Sequence, residues 1–206
     1  MEIGVVSLYP KLKDIEKLEN AIKMIGYTPH ILDLVHTTAD KIYYHIKNSN
    51  IKYWIFSGSP LTVIDKISTQ IPMEIFRLTS KKFMFICYSL ESVMFQLKYP
   101  ISFRKELKKE VFYLDVNNDN VKNNNVEYLF KDIKIPMKLW RNHYGYVSNK
   151  LVNNNLIKEI ASYKEESMIL LYRNSILVQF HPERTKDGLK FINNWIRSSY
   201  YDFLML

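Results

Sequence analysis

The chain has a single cysteine, Cys87, at the end of the apolar run Phe83-Met84-Phe85-Ile86, and Tyr88-Ser89-Leu90-Glu91 follows as the start of a helix. A thiol at a strand-to-helix turn is suited to nucleophilic attack. The helix N-terminus stabilises the thiolate, and the next backbone N–H can point at a developing oxyanion. Far along the chain, Ile176-Leu177-Val178-Gln179-Phe180 reads as a second apolar strand that delivers His181-Pro182-Glu183, a base with an orienting carboxylate. Taken alone, Cys87 reads as an inert buried thiol and His181-Pro182-Glu183 as a strand-ending turn. Together they suggest a cysteine, histidine and glutamate triad acting on a carbonyl. The Tyr88 N–H is one oxyanion donor candidate. A second comes from Ser57-Gly58-Ser59-Pro60, where proline restrains the chain and glycine lets the backbone approach closely.

The elements that must position these groups follow a βαβ rhythm. Ile3 to Ser7 reads as strand, Ile15, Leu18 and Ile22 share one helical face, and His30 to Leu34 reads as strand. Thr38 is a cap before a helix with Ile42 and Ile46, and Tyr53 to Phe56 is a buried strand. The expected fold is therefore α/β, with a mostly parallel sheet flanked by helices and ligands at the carboxyl ends of the strands. Val111 to Leu114 and Met137 to Trp140 read as strands, the latter leading into Asn142-His143-Tyr144-Gly145. Asn117 to Asn125, with six asparagines, reads as a polar loop. Met168 to Tyr172 and Ser175 to Phe180 form an expected hairpin, with Asn174 taking the left-handed position of the turn. The last helix is predicted from Asp187 to Arg197, with Leu189, Ile192 and Ile196 inward.

At 206 residues and 47% hydrophobic, the chain suits one domain spanning 1–206. One cysteine excludes an internal disulfide and argues against a thiolate metal cluster, and a reduced thiol suits the cytoplasm. Met1-Glu2-Ile3-Gly4 carries an acid where a signal peptide would be basic. No run approaches the roughly 20 apolar residues of a membrane span. The net charge of +8 is carried by 23 lysines against 6 arginines, alongside abundant Asn, Ile and Tyr, a pattern that AT-rich coding produces. No stacking or arginine-fork motif accompanies it, so nucleic acid is not an expected partner. The apolar tail 200–206 is expected to pack back onto the domain, with homo-oligomer formation as the alternative.

The conjunction of motifs resembles the class I glutamine amidotransferases. Gln179-Phe180-His181-Pro182-Glu183 matches that family's histidine motif at every position, and Ser57-Gly58-Ser59-Pro60 resembles its Ser-Gly-Gly-Pro oxyanion loop. Leu139 to Val147 resembles its Trp-x-Ser-His-x-x-x-Val segment, and Cys87 stands where Gly-x-Cys-x-Gly-x-Gln places the nucleophile. The landmarks occur in family order over about 3–197 and look closest to the amidotransferase subunit or domain of GMP synthetase. The resemblance implies a flavodoxin-like amidotransferase fold with a small antiparallel hairpin addition. It also implies Cys87 as nucleophile, His181 as acid and base, Glu183 as orienter, and Gly58, Ser59 and Tyr88 as oxyanion donors. Glu91, Asn142 and His143 fall in substrate-binding positions. No metal or cofactor is implied. The substrate would be glutamine or a γ-glutamyl compound, and a synthetase subunit in trans would take the ammonia.

Phe85 and Ser89 stand where the family has glycines, and Glu91 where it has glutamine. A carboxylate at 91 disfavours a substrate carboxylate and favours an ammonium or amide donor. Glutamate there also resembles γ-glutamyl hydrolases, which makes a γ-glutamyl peptide hydrolase the second reading. A Phe85 ring filling the pocket would instead make the chain a non-catalytic binding module.

Overall fold

A computed structural model of the chain describes residues 1–65, 70–152 and 156–198. Its first half builds β1 (Glu2–Ser7), α1 (Glu16–Met24), β2 (Thr28–Asp33), α2 (Ala39–Asn48), β3 (Tyr53–Phe56), β4 (Lys82–Ile86) and α3 (Tyr88–Gln96). The helices form for the reasons the sequence suggests. Leu18, Ala21 and Ile22 make the buried stripe of α1, and the Thr38 side chain caps α2 by accepting from Lys41 N. The second half contributes β5 (Ile101–Leu114), α4 (Asn118–Asn123), β6 (Met137–Val147), β7 (Lys158–Tyr163), β8 (Glu166–Tyr172), β9 (Ser175–Val178) and α5 (Lys186–Arg197).

One seven-stranded sheet runs in the order β2-β1-β3-β4-β9-β8-β7. Its first five strands are parallel, and β8 and β7 extend it antiparallel. A separate antiparallel ribbon pairs β5 with β6. This is the expected mostly parallel α/β sheet with an antiparallel addition. The core lies in two layers: α1 and α5 cover one face of the sheet, and α2 and α3 the other. At the end of α5, Ser198 is tied to the beginnings of two central strands. Lys82 Nζ donates to Ser198 Oγ at 2.8 Å, and Tyr53 Oη donates to Ser198 O at 3.2 Å.

Several expectations change. The asparagine-rich segment contains the helix α4, because the Asn117 side chain accepts from Asp119 N and Asn120 N and so caps it. Both ribbon strands are far longer than Val111–Leu114 and Met137–Trp140, and Asn142 to Gly145 lie within β6 rather than beyond it. In the β8–β9 hairpin, Arg173 and not Asn174 takes the positive φ of 52°. Asn174 instead uses its amide to donate to Leu78 O and Lys81 O. Phe191 and Trp195 join Ile192 and Ile196 as the buried stripe of α5, while Leu189 is only half-buried. The tail 200–206 lies outside the described residues.

Candidate functional site

Cys87 sits between β4 and α3 at φ 53°, ψ −110°, a left-handed elbow that a side chain occupies only when its surroundings hold it there. What holds it is the sheet. Cys87 N donates to Val178 O at 2.7 Å, and Glu91 N reaches back to Cys87 O at 3.1 Å to open the helix. The two residues at family glycine positions fit away from the thiol. Phe85 is fully buried on the α2–α3 side, stacked on Phe56 at 4.8 Å and beside Phe76 at 5.4 Å. Ser89 Oγ lies 3.0 Å from both Phe56 O and Ile86 O, so its hydroxyl is satisfied where strand and helix pack tightly. Neither residue fills the space beside the sulfur.

β9 runs parallel to β4 and carries the chain to His181, whose N–H donates to Trp140 O at 2.8 Å and joins the turn to β6. His181 Nδ1 pairs with Glu183 Oε1 at 2.7 Å, and both side chains are almost fully buried. Burial raises the Glu183 carboxyl, but the charge and hydrogen bond of His181 outweigh it and leave the group below the usual carboxylate range. The carboxylate can therefore fix the tautomer of the imidazole with Nε2 facing away. Gly188 lets α5 begin directly against this turn, since a Cβ there would overlap Pro182 O.

The Ser57-Gly58-Ser59-Pro60 turn brings the two halves together. A Cβ on Gly58 would stand 2.9 Å from His181 Cε1 and 3.6 Å from Cys87 Cβ, so loop, thiol and imidazole converge. Ser57 locks the turn by accepting from Leu8 N at 2.9 Å and donating to Gly58 O at 2.8 Å. Ser59 Oγ accepts from Leu61 N at 3.2 Å, and its side chain is engaged in the turn. The Tyr88 ring packs in the core, and its backbone N–H acts on the Cys87 sulfur. Tyr9, on the β1–α1 connection, completes the surroundings: its phenol is raised by burial and then by the nearby Glu183 and Cys87.

Besides the Tyr88 N–H, the thiol contacts Asn142 O at 3.8 Å and Gln179 Nε2 at 3.9 Å. Burial pushes the Cys87 thiol well up and the Glu91 charge adds to it, while the Tyr88 N–H and Gln179 act the other way. The net effect favours the protonated thiol over the thiolate.

Glu91 is buried, accepts from Gln179 Nε2 at 3.0 Å and lies over Gly145, where a Cβ would overlap its Oε2. Burial lifts its carboxyl to about 7, against the lowering effects of Gln179 and His181. Asn142 offers its carbonyl to the thiol, and its Oδ1 is buried without a partner. His143 turns elsewhere: its Nε2 pairs with Glu166 Oε2 at 2.9 Å, inside a cluster with Arg141 and Arg104. Burial lowers the His143 imidazole, and Glu166 offsets this in part. Gln179 has no role in the motif reading, although it lies inside the matched pentapeptide. Gly145 is likewise unassigned there, because its contact with Glu91 exists only once α3 and β6 pack together. No three His, Cys, Asp or Glu side chains among the described residues are grouped as a metal site would require. No helix among them is long and apolar enough to cross a membrane.

The sequence model of the family described as glutamine amidotransferase class-I matches residues 14–197. A glutamine-hydrolysing GMP synthase of Clostridium tetani is 31% identical over 153 residues, covering 73% of this chain and 28% of that protein. Its counterpart from Wigglesworthia glossinidia brevipalpis is 26% identical over 155 residues, covering 72% of this chain and 29% of that protein. The chain thus spans less than a third of the length of these curated relatives. Among solved structures, a GMP synthase subunit from Thermoplasma acidophilum superposes with a TM-score of 0.70 at 14% identity, covering 95% of this chain and 92% of that one. PurLQS from Thermotoga maritima gives 0.61 at 16% identity, covering 95% and 97%. At these identities the shared property is the fold.

Proposed function

This chain belongs to the class I glutamine amidotransferase family, and from that premise we propose that it releases ammonia from glutamine through a γ-glutamyl thioester on Cys87. The observation that carries this reading is the convergence of Gly58, Cys87 and a His181 already oriented by Glu183. His181 Nε2 takes the thiol proton as sulfur attacks the γ-carboxamide carbon. The carbonyl oxygen becomes an oxyanion held by the N–H groups of Tyr88 and the Gly58-Ser59 turn. On collapse the C–N bond breaks, His181 returns the proton to the leaving nitrogen, and ammonia departs. Water, deprotonated by His181, then attacks the thioester, releasing glutamate and restoring the thiol. By analogy with the GMP synthases it is similar to, the ammonia passes to a synthetase-type partner acting in trans.

Glu91 supports a second reading, a γ-glutamyl peptide hydrolase using the same three residues, since the family resemblance expects glutamine at this position and here a buried carboxylate accepts from Gln179. The binding-module reading rests on a Phe85 ring in the pocket, and the ring's place in the aromatic core removes that support. Ammonia release from glutamine and cleavage of γ-glutamyl dipeptides, each compared with Cys87→Ala, test the proposal. Cys87-dependent turnover of glutamine supports the amidotransferase reading. Turnover confined to dipeptides selects the hydrolase, and no turnover on either substrate overturns both.

A further inference from the structure

The walls around Cys87 are rich in acceptors that lack donors. Gln179 is fully buried and spends its amide N–H groups on Glu91 and the thiol, which leaves its Oε1 without a partner. Among the described residues, the donor to the Glu91 carboxylate is that same Gln179 amide. The charged groups acting most on Cys87 and Glu91 are Glu91 itself, Glu183, Glu166 and His181; no lysine or arginine is among them. The buried Arg141 and the partly exposed Arg104 are engaged by Glu166, with Glu110 and Glu165 as further partners.

A substrate carboxylate brought beside Glu91 would meet another carboxylate, and the guanidinium next to the triad, Arg184, is paired with Glu183 at 3.9 Å. An ammonium brings a positive charge and three donors. Gly145 makes the arrangement sterically feasible, because any side chain there would displace Glu91.

We propose that the pocket recognises its substrate by the α-ammonium alone, held by Glu91 and Gln179 Oε1, and makes no required contact with the α-carboxylate. Glutamine at the N-terminus of a peptide is then a substrate on a par with free glutamine. The inference builds on the thiol hydrolase reading above and names the substrate class that site accepts.

The test uses the whole chain and three compounds. Free glutamine has both groups, glutaminyl-glycine keeps the ammonium but moves the carboxylate away, and N-acetylglutamine keeps the carboxylate but loses the ammonium. Ammonia release from glutaminyl-glycine should match that from glutamine within about threefold in kcat/KM. Release from N-acetylglutamine should fall by about 10- to 100-fold, the range for losing one charge-assisted hydrogen bond. Glu91→Gln should shift preference towards free glutamine chiefly through KM. The inverse order, with N-acetylglutamine retained and glutaminyl-glycine lost, overturns the proposal. Calorimetric binding to Cys87→Ala separates it from the catalytic reading. If native protein turns over none of the three, yet the variant binds glutaminyl-glycine and glutamine alike and not N-acetylglutamine, ammonium recognition stands and the chemistry fails. Binding of none of the three overturns the proposal as well.

Discussion

Glu91 and Glu166 are both buried carboxylates packed against β6, one over Gly145 and the other against Arg141 and His143, yet their carboxyls are shifted in opposite directions. Glu166 is surrounded by donors: Arg104, Arg141 and His143 all reach it. Burial pushes its carboxyl up, but those partners overcome the penalty and leave it below the usual range. Among the described residues, Glu91's donor is Gln179, and burial prevails, lifting it to about 7. The difference teaches that burial alone does not decide protonation here; the count of donors does. A saturated carboxylate is a structural joint, tying the ribbon to β8. An undersaturated one beside a thiol keeps unused lone pairs and holds its proton to higher pH.

The most severe way to break the contrast is to empty the saturated site. Glu166→Gln leaves two guanidiniums and an imidazole facing a neutral amide and should destabilise the fold by about 3–5 kcal/mol in urea unfolding. Because the Glu166 carboxyl is lowered, its contribution to stability is present above the ordinary carboxylate pKa and is lost as the pH falls below about 4.5. Glu91 runs the other way. Its raised carboxyl makes the native state hold a proton that the unfolded chain has released, so stability falls as pH rises from about 4.5 to about 7. Glu91→Gln should therefore stabilise the chain at pH 8 by about 2–4 kcal/mol and flatten that window in melts at stepped pH.

Gly145→Ala sharpens the comparison from the other partner. Its new Cβ meets Glu91 Oε2 and should cost about 1–3 kcal/mol, with less than additive loss when combined with Glu91→Ala. Ser89→Ala should have the smallest effect, about 1 kcal/mol by the same unfolding assay, since it removes one hydroxyl shared between Phe56 O and Ile86 O.

Which of these features the sequence discloses depends on how local they are. β4 and β9 are buried on both faces and read as unbroken apolar runs, so the strands bearing Cys87 and His181 are legible. The histidine pentapeptide is a contiguous motif for the same reason. β7 escapes notice because Lys158, Glu159 and Ser162 interrupt its apolar positions at a sheet edge. The first part of β5 is dominated by lysine, arginine and glutamate on a ribbon that faces solvent for much of its length. The pairings Glu91 with Gly145 and His143 with Glu166 join residues on different elements. No spacing rule announces them, and they decide which side chains face the sulfur. Phe85 shows the converse: its type signals a blocked pocket, but strand alternation sends the ring to the opposite face.

The clamp of Lys82 and Tyr53 on Ser198 also anchors the end of α5 at the beginnings of β3 and β4. β4 starts at Lys82 and ends at the elbow, so this anchor lies a strand's length from the sulfur, about 17 Å at 3.3 Å per residue. A perturbation at Ser198 therefore begins at the opposite end of β4 from the thiol.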